Sequence, residues 1–419
     1  MAGADTYGGR TAITTAREPK ADRAYPPISL ATRLVILAGG PSISLATSLI
    51  QPILPEIQAD LASGPEDAFL VKMLIGVMGI AMVIGAAITG FLVDRFGLKR
   101  VMSANYALYA VAGTAGLYLA DLPLLLVSRF LLGMAASGAV TGSIIIINSL
   151  LPQESRATWL GYYNGVAQIS SVVFNPLSGL LGEMNWHWSF AIYGIAAPFA
   201  VLAMTALQGR VPMRPEEAMA RPEPLLRWFP FRFAVIGIAL GVIIYIPAVY
   251  LPFLLNSLGM KSPQSISLVL TGDIIAGSIA ALCFGRARRS LSELGAFRVA
   301  VAMAGFGLTI AGFATNYVSV IVGSIFFGVG VAWFLPTLML GTAARVEPGR
   351  QGRAAGLVKS ANYMGSPIAV FLAEPVARSY GASGAILAAA GLSLTLLVAS
   401  ITGKVFGPSD PRSPAPVKA

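Results

Sequence analysis

One charged stretch separates two long apolar runs in the first quarter of the chain: Gly90-Phe-Leu-Val-Asp94-Arg95-Phe-Gly97-Leu-Lys99-Arg100. The run that it closes, residues 69–93, carries a single charge, Lys72, and the run that follows, residues 101–120, carries none. An α-helix needs about 20 apolar residues to cross a hydrocarbon core about 30 Å thick. The two runs therefore predict two membrane-spanning helices that are joined by a tight turn at the membrane surface.

The composition of the whole chain indicates the same class of protein. Of the 419 residues, 56% are apolar and only 11% are charged, and the mean hydropathy is +0.73. Soluble proteins average about 25% charged residues, so we expect an integral membrane protein. The single cysteine, Cys283, excludes an intrachain disulfide. The first thirty residues lack an apolar segment, so we expect no cleavable signal peptide.

The apolar runs predict twelve membrane-spanning helices in two groups of six. They lie at residues 34–54, 69–93, 101–120, 123–147, 159–183, 189–208, 232–256, 264–284, 297–315, 318–344, 354–376 and 382–403. A polar, proline-rich segment separates the sixth run from the seventh and is predicted to be a linker. The predicted organisation is a cytoplasmic tail 1–30, an N-terminal half 31–208, the linker 209–230, a C-terminal half 231–404 and a tail 405–419.

Positive charges lie mainly on one side of this predicted topology. Alternating spans place 24 of the 29 Lys and Arg residues, and both termini, at the same set of helix ends; the exceptions are Lys72, Arg129, Lys261, Lys359 and Arg378. Lys and Arg are enriched in cytoplasmic loops, so we predict cytoplasmic termini and a location in the cell (inner) membrane. The net charge of +10 follows from this bias, and we expect no nucleic acid partner.

The pattern G-x-L-x-D-R-x-G-x-K-R of residues 90–100 resembles the signature loop between the second and third helices of major facilitator superfamily transporters. The resemblance implies an all-α fold with twelve transmembrane helices in two six-helix halves. It also implies a conformational latch between the halves, a role that we carry over to Gly90, Asp94, Arg95, Gly97 and Arg100. In such a latch Gly90 admits a neighbouring helix, and the Asp94 carboxylate accepts hydrogen bonds from a helix N-terminus. The alternative is a charged turn that only sets topology.

Arg129 lies inside the fourth predicted helix and begins an R-x-x-x-G pattern that ends at Gly133. An arginine at this depth must face protein or water, because facing lipid is costly. The pattern resembles a fourth-helix motif of the same superfamily, which implies proton coupling or substrate contact. We therefore place Arg129 in a central cavity; the alternative is a structural or snorkelling arginine.

The fifth predicted helix carries a stripe of polar side chains on one face: Asn164, Gln168, Ser171, Asn175 and Ser178. Amide contacts between membrane helices contribute only about 0.6 kcal/mol each, so we interpret the stripe as cavity lining rather than as glue between helices. Residues 175–190 are also similar to the fifth-helix motif of drug:proton antiporters. The segment departs from that motif at Asn175, Leu180 and His187.

Asp273 lies near the middle of the eighth predicted helix. A charge at this depth costs about 2.5–3.5 kcal/mol on insertion scales, so it marks a functional site. We interpret Asp273 as a proton-coupling carboxylate; the alternative is a permanently protonated or permanently paired residue. Lys72, Lys359 and Glu374 lie near predicted helix ends, where we expect long side chains to snorkel.

These features together predict a secondary active transporter that works by alternating access. The chain has no P-loop and a single histidine, so ATP-driven transport and enzymatic function are excluded, and no cofactor or metal is expected. Two halves around a central site also favour a transporter over a channel or receptor. We predict proton-coupled export of a small organic molecule; the alternative is proton-coupled uptake of a small organic anion, with Arg129 and Lys359 as carboxylate partners. The expected partners are the substrate, protons and the lipid bilayer, and we expect a monomer.

Overall fold

The structure, a computed structural model, describes residues 28–207, 229–347 and 350–402. Every regular element in these ranges is helical. The α-helices are α1 Leu30–Ser48, α2 Leu54–Leu61, α3 Pro65–Phe96, α4 Leu98–Thr114, α5 Leu122–Leu150, α6 Gln153–Met184, α7 Ala197–Ala206, α8 Phe231–Ser257, α9 Pro263–Ser290, α10 Glu293–Gly312, α11 Tyr317–Ala343 and α12 Gln351–Ile401. Stretches of 3-10 helix at Gln51–Ile53 and Trp186–Ala196 precede α2 and α7. Nearly all of the two predicted tails and of the linker lies outside the described residues.

Nine helical stretches in the described part of the chain are long and apolar enough to cross a membrane. Helix α4 is not among them because it has only 17 residues. Helix α6 is not among them either, and it is the helix that carries the polar stripe. Helix α12 extends over 51 residues and covers two of the predicted spans, with a break in the helical geometry at Gly381 between them. The chain is therefore a multi-pass membrane protein, and the count of twelve spans stays a prediction.

Two glycines with positive φ reverse the chain direction. Gly97, with φ of +83°, is the one residue between α3 and α4. Gly381, with φ of +70°, interrupts the helical geometry of α12 between the two spans predicted there. This region of φ is accessible mainly to glycine. Gly97 of the signature loop therefore permits the tight turn that the sequence predicts.

The helices pack as two groups, an N-terminal half of α1–α7 and a C-terminal half of α8–α12. Helix α3 packs against α5 in the first half, and α8 packs against α12 in the second. Most of the contact between the halves comes from two pairs of helices, α6 with α9 and α3 with α12. These two seams enclose the space between the halves.

The two ends of the helix bundle differ in charge and in packing. We call one of them the acidic end; it contains Glu56, Asp60, Glu66, Asp67, Asp121, Glu183 and Glu374. The other we call the basic end; its helices begin or end near residues 97, 151, 291 and 344–350. Direct contacts join the halves at the acidic end, including Arg378 to Pro65 and Ser262 to Glu183.

At the basic end the halves are apart. A side chain added at Gly161 or Gly165 of α6, or at Gly352 or Gly356 of α12, would meet open space. A separate apolar cluster around Ile36, Met102 and Ile147 packs this end of the N-terminal half, whereas the main core includes residues of both halves. The structure is thus closed at the acidic end and open at the basic end.

Candidate functional site

A cavity of about 800 Å³ lies between the two halves. Its lining comes from α1, α5 and α6 of the N-terminal half and from α8, α9, α11 and α12 of the C-terminal half. Much of the wall is apolar, with Ile244, Leu251, Phe327, Val331 and Met339 among its members. Polar lining comes chiefly from α1, from the 3-10 stretch that follows it and from α6: Ser44, Thr47, Ser48, Gln51, Asn164, Gln168 and Ser171. The cavity can therefore surround an amphipathic molecule.

Asp273 lines this cavity from α9, as the sequence predicts. Its partner helix is α11, where Gly328 lies so close that an added methyl group would overlap the Asp273 carboxylate. Asp273 has no hydrogen bond or ion pair within the described part of the chain. Glycine at position 328 thus leaves room for the Asp273 carboxyl group.

Lys359 of α12 is the other charged side chain among the cavity-lining residues that the structure describes. Its Nζ atom lies 5.8 Å from the centroid of the Tyr363 ring, which also lines the cavity. Neither this ammonium group nor the Asp273 carboxylate forms an ion pair within the described ranges. The cavity wall therefore carries one carboxyl group and one ammonium group, neither of which has an ion-pair partner among the described residues.

The polar stripe of α6 has two different environments. Asn164, Gln168 and Ser171 line the cavity, and the Gln168 amide donates to Ser278 of α9 across the halves at 3.0 Å. Asn175 is buried closer to the acidic end, where its amide donates to Thr271 of α9 at 3.3 Å. Ser178 donates to the Leu49 carbonyl at 2.6 Å. The prediction that Asn175 and Ser178 line the cavity is wrong, because Asn175 lies in the closed seam between α6 and α9 and Ser178 is buried against the end of α1 in its own half.

Arg129 does not line the cavity, so its predicted position is also wrong. The side chain is completely buried inside the N-terminal half. Its Nη2 atom donates to the Gly113 carbonyl at 3.0 Å, and its guanidinium group stacks on Phe190 and Tyr193 at 4.7 and 5.1 Å from the ring centroids. Gly133 lies against Met78 and Ala81 of α3. The room beside Arg129 therefore holds a neighbouring helix and not a ligand.

The five residues predicted to form the latch lie at the open basic end. Asp94 is exposed and makes no hydrogen bond or ion pair with the described residues. A side chain at Gly90 would meet open space, so the predicted close approach is not made there. Arg95 packs on Phe96, Gly97 forms the turn and Arg100 is exposed. The latch stays a prediction for a conformation in which this end is closed.

The expectation that Lys72 and Glu374 snorkel separately is wrong. The Lys72 ammonium lies 2.7 Å from the Glu374 carboxylate, and both side chains are largely buried. The two residues are 302 positions apart in the chain, so no local pattern connects them. The sequence signal was limited to two charges in separate apolar runs, and Glu374 shares its run with Lys359.

Relatives of this chain include two resistance proteins and a transporter. Quinolone resistance protein NorA of Staphylococcus aureus is 22% identical over 341 residues, which are 79% of this chain and 86% of that protein. Tetracycline resistance protein, class H, of Pasteurella multocida is 27% identical over 187 residues, 43% of this chain and 45% of that protein. The probable galactarate/D-glucarate transporter GudP of Bacillus subtilis is 28% identical over 137 residues, 31% of this chain and 30% of that protein. The match thus spans less than half of the last two relatives.

The fold and the family agree with these relatives. The crystal structure of a D-xylose-proton symporter superposes with a TM-score of 0.71 at 17% sequence identity, and the match covers 90% of this chain and 98% of the symporter. The family model of the Major Facilitator Superfamily matches residues 37–287, more than half of the chain. The chain therefore belongs to the Major Facilitator Superfamily, and proteins of quinolone and tetracycline resistance are among its relatives.

Proposed function

We propose that this protein is a proton-coupled secondary transporter that exports a small amphipathic organic molecule, with Asp273 as the coupling carboxylate. One observation carries the proposal: an unpaired carboxyl group lines a largely apolar cavity between two halves that are closed at one end. The resistance proteins among the relatives support export of drug-like compounds.

Proton exchange at Asp273 follows from its surroundings. Apolar neighbours such as Leu270, Ile274 and Phe327 also line the cavity and limit the hydration of the carboxylate. Poor hydration favours the neutral carboxyl group. Access of water or substrate from one end and then from the other changes that hydration, so the carboxyl group binds a proton in one conformation and releases it in the other.

The test is transport in proteoliposomes that contain the purified protein and a tetracycline or a quinolone as substrate. Asp273→Asn should abolish transport driven by a pH gradient but retain substrate exchange in the absence of a gradient. Asp67→Asn provides the matched control, because it makes the same chemical change at the acidic end, outside the cavity. Gradient-driven transport at full rate in the Asp273 variant would refute this role and direct attention to Glu374.

A second candidate function is proton-coupled uptake of a small organic anion. The favouring observation is Lys359, a cation without an ion pair in the cavity wall, since an ammonium group can pair with a substrate carboxylate. The relative named as a galactarate/D-glucarate transporter supports this class. Competition between galactarate and a tetracycline, measured in wild type and in Lys359→Gln, separates the two functions. Uptake of galactarate that is lost in the variant would establish the anion transporter.

The location and the orientation complete the proposal. We propose that the protein is a monomer in the cell (inner) membrane. We also propose that both termini lie in the cytoplasm, because the Lys and Arg bias places the basic end there. Reporter fusions after Ala419 and within residues 209–230 should report the cytoplasm, and fusions within residues 58–67 should report the outside. A linker fusion that reports the outside would refute the arrangement of two halves.

A further inference from the structure

A compact polar cluster joins the two halves at the acidic end. Glu374 of α12 is its centre: one carboxylate oxygen lies 2.7 Å from the Lys72 ammonium and accepts a hydrogen bond from the Tyr250 hydroxyl at 2.9 Å. The other oxygen accepts from the Arg378 guanidinium at 3.1 Å. The Lys72 ammonium also lies over the Tyr250 ring at 5.4 Å from its centroid. Every group in the cluster thus has a partner.

The partners of Glu374 belong to different halves. Tyr250 of α8 and Arg378 of α12 lie in the same half as Glu374, whereas Lys72 lies on α3 in the N-terminal half. Arg378 provides a second connection, because its Nη2 atom donates to the Pro65 carbonyl at the first residue of α3 at 3.2 Å. Both connections must break when α3 and α12 separate at this end.

We propose that Lys72 and Glu374 form an ion-pair lock that holds the transporter closed at the acidic end. Tyr250 and Arg378 keep Glu374 in place in both conformations, since they remain beside it when the halves separate. Among the partners of the Glu374 carboxylate, Lys72 alone is lost when the halves separate, and its ammonium group then binds water; Arg378 keeps its bond to Glu374 and loses the Pro65 carbonyl. The lock therefore acts on the equilibrium between the two conformations and does not depend on which substrate is carried.

The environment makes this ion pair stronger than one at an exposed surface. The side chains of Lys72 and Glu374 are only 12% and 7% exposed, so water and salt screen their attraction weakly. Exposed pairs contribute little because water competes for both charges. The cost of burying Glu374 is reduced by its two partners within the C-terminal half, and the added bond to Lys72 is therefore specific to the closed conformation.

The experiment measures both ends of the molecule in a Cys283→Ser background. Ser267→Cys places a thiol at a fully buried position in the seam between α6 and α9, and its rate of reaction with a polar maleimide reports opening of the acidic end. Spin labels at Gly161→Cys and Gly356→Cys, two positions with open space around them, report the distance between the halves at the basic end. A locally unfolded protein would raise thiol reactivity without shortening that distance.

Lys72→Met and Glu374→Gln should each increase the reaction rate of the thiol by roughly tenfold, as expected for the loss of one close polar pair, and should shorten the spin-label distance. Glu374→Gln should have the larger effect, because it leaves Lys72 and Arg378 without the shared carboxylate. The double variant should react no faster than Glu374→Gln alone. Lys72→Arg keeps the charge and should retain most of the closed population.

The matched control is Glu293→Gln, which breaks the 3.1 Å ion pair with Arg345 inside the C-terminal half. It should change neither the thiol reactivity nor the distance. The lock is refuted if folded Lys72→Met reacts at the wild-type rate, if it behaves like the Glu293 control, or if the two single effects simply add. Should Glu374→Gln fail to fold, Lys72→Met decides alone, since it leaves Glu374 with two donors.

Discussion

Gly79 offers a direct test of the seam between α3 and α12, which joins the halves from the acidic end toward the cavity. This residue of α3 faces α12 of the other half, where an added methyl carbon would lie 2.8 Å from Ser366 Cβ and 2.9 Å from Pro367 Cδ and would overlap the Tyr363 carbonyl oxygen. Carbon atoms in contact prefer about 3.5–4.0 Å, so Gly79→Ala requires α3 and α12 to move apart by about 1 Å. The same seam contains the Ser366 hydroxyl, which donates to the Ile75 carbonyl at 3.1 Å.

The magnitude follows from the cost of overpacking. One extra methyl group in a close-packed contact costs about 1–3 kcal/mol. The two helices separate when the acidic end opens, so this cost falls on the closed conformation alone. The ratio of open to closed molecules at the acidic end should therefore rise by about 5-fold to 150-fold.

The assay is the spin-label distance between positions 161 and 356, which should shorten in Gly79→Ala as the basic end closes. Gly85→Ala is the control: its added methyl group would meet Met134 and Ser137 of α5 within the same half, so it should lower the melting temperature without changing the distance. A well-folded Gly79→Ala with the wild-type distance would refute the assignment of this seam as a moving contact.

Three further changes test other parts of the structure. Gln168→Leu should weaken substrate binding at an unchanged protein level, because it removes a polar group from the cavity and the hydrogen bond to Ser278. A ligand-binding assay on purified protein measures this, and unchanged affinity would contradict the prediction. Arg129→Lys should lower the melting temperature but keep substrate affinity, because an ammonium group cannot stack on Phe190 and Tyr193 as a planar guanidinium does. A loss of substrate affinity at unchanged melting temperature would instead assign Arg129 to the binding site. Asp94→Ala should increase the labelling of a cysteine at position 356. The proposed latch acts only when the basic end is closed, so its loss favours the conformation that is open at this end. Equal labelling with normal transport would show that the loop only sets topology.

The sequence alone determined the class of this protein, its all-helical architecture and the presence of an acid inside an apolar run. Crossing a hydrocarbon core requires about 20 apolar residues, and this requirement is visible in each run separately. The turn at Gly97 is also local, because one residue between two helices needs a positive φ. Asp273 stood out for the same kind of reason, since an acid in the middle of an apolar run has no local explanation.

Only the tertiary structure decided which side chains meet. Periodicity placed Asn164 and Asn175 on one face of α6, but the contact with α9 leaves the first in the cavity and buries the second. Arg129 was correctly read as facing inward, yet the neighbour is an aromatic pair of its own half and not the cavity. Lys72 and Glu374 pair because α3 and α12 meet at the acidic end. Each of these outcomes depends on how distant helices approach and rotate against one another, and that information is absent from the pattern of any single helix.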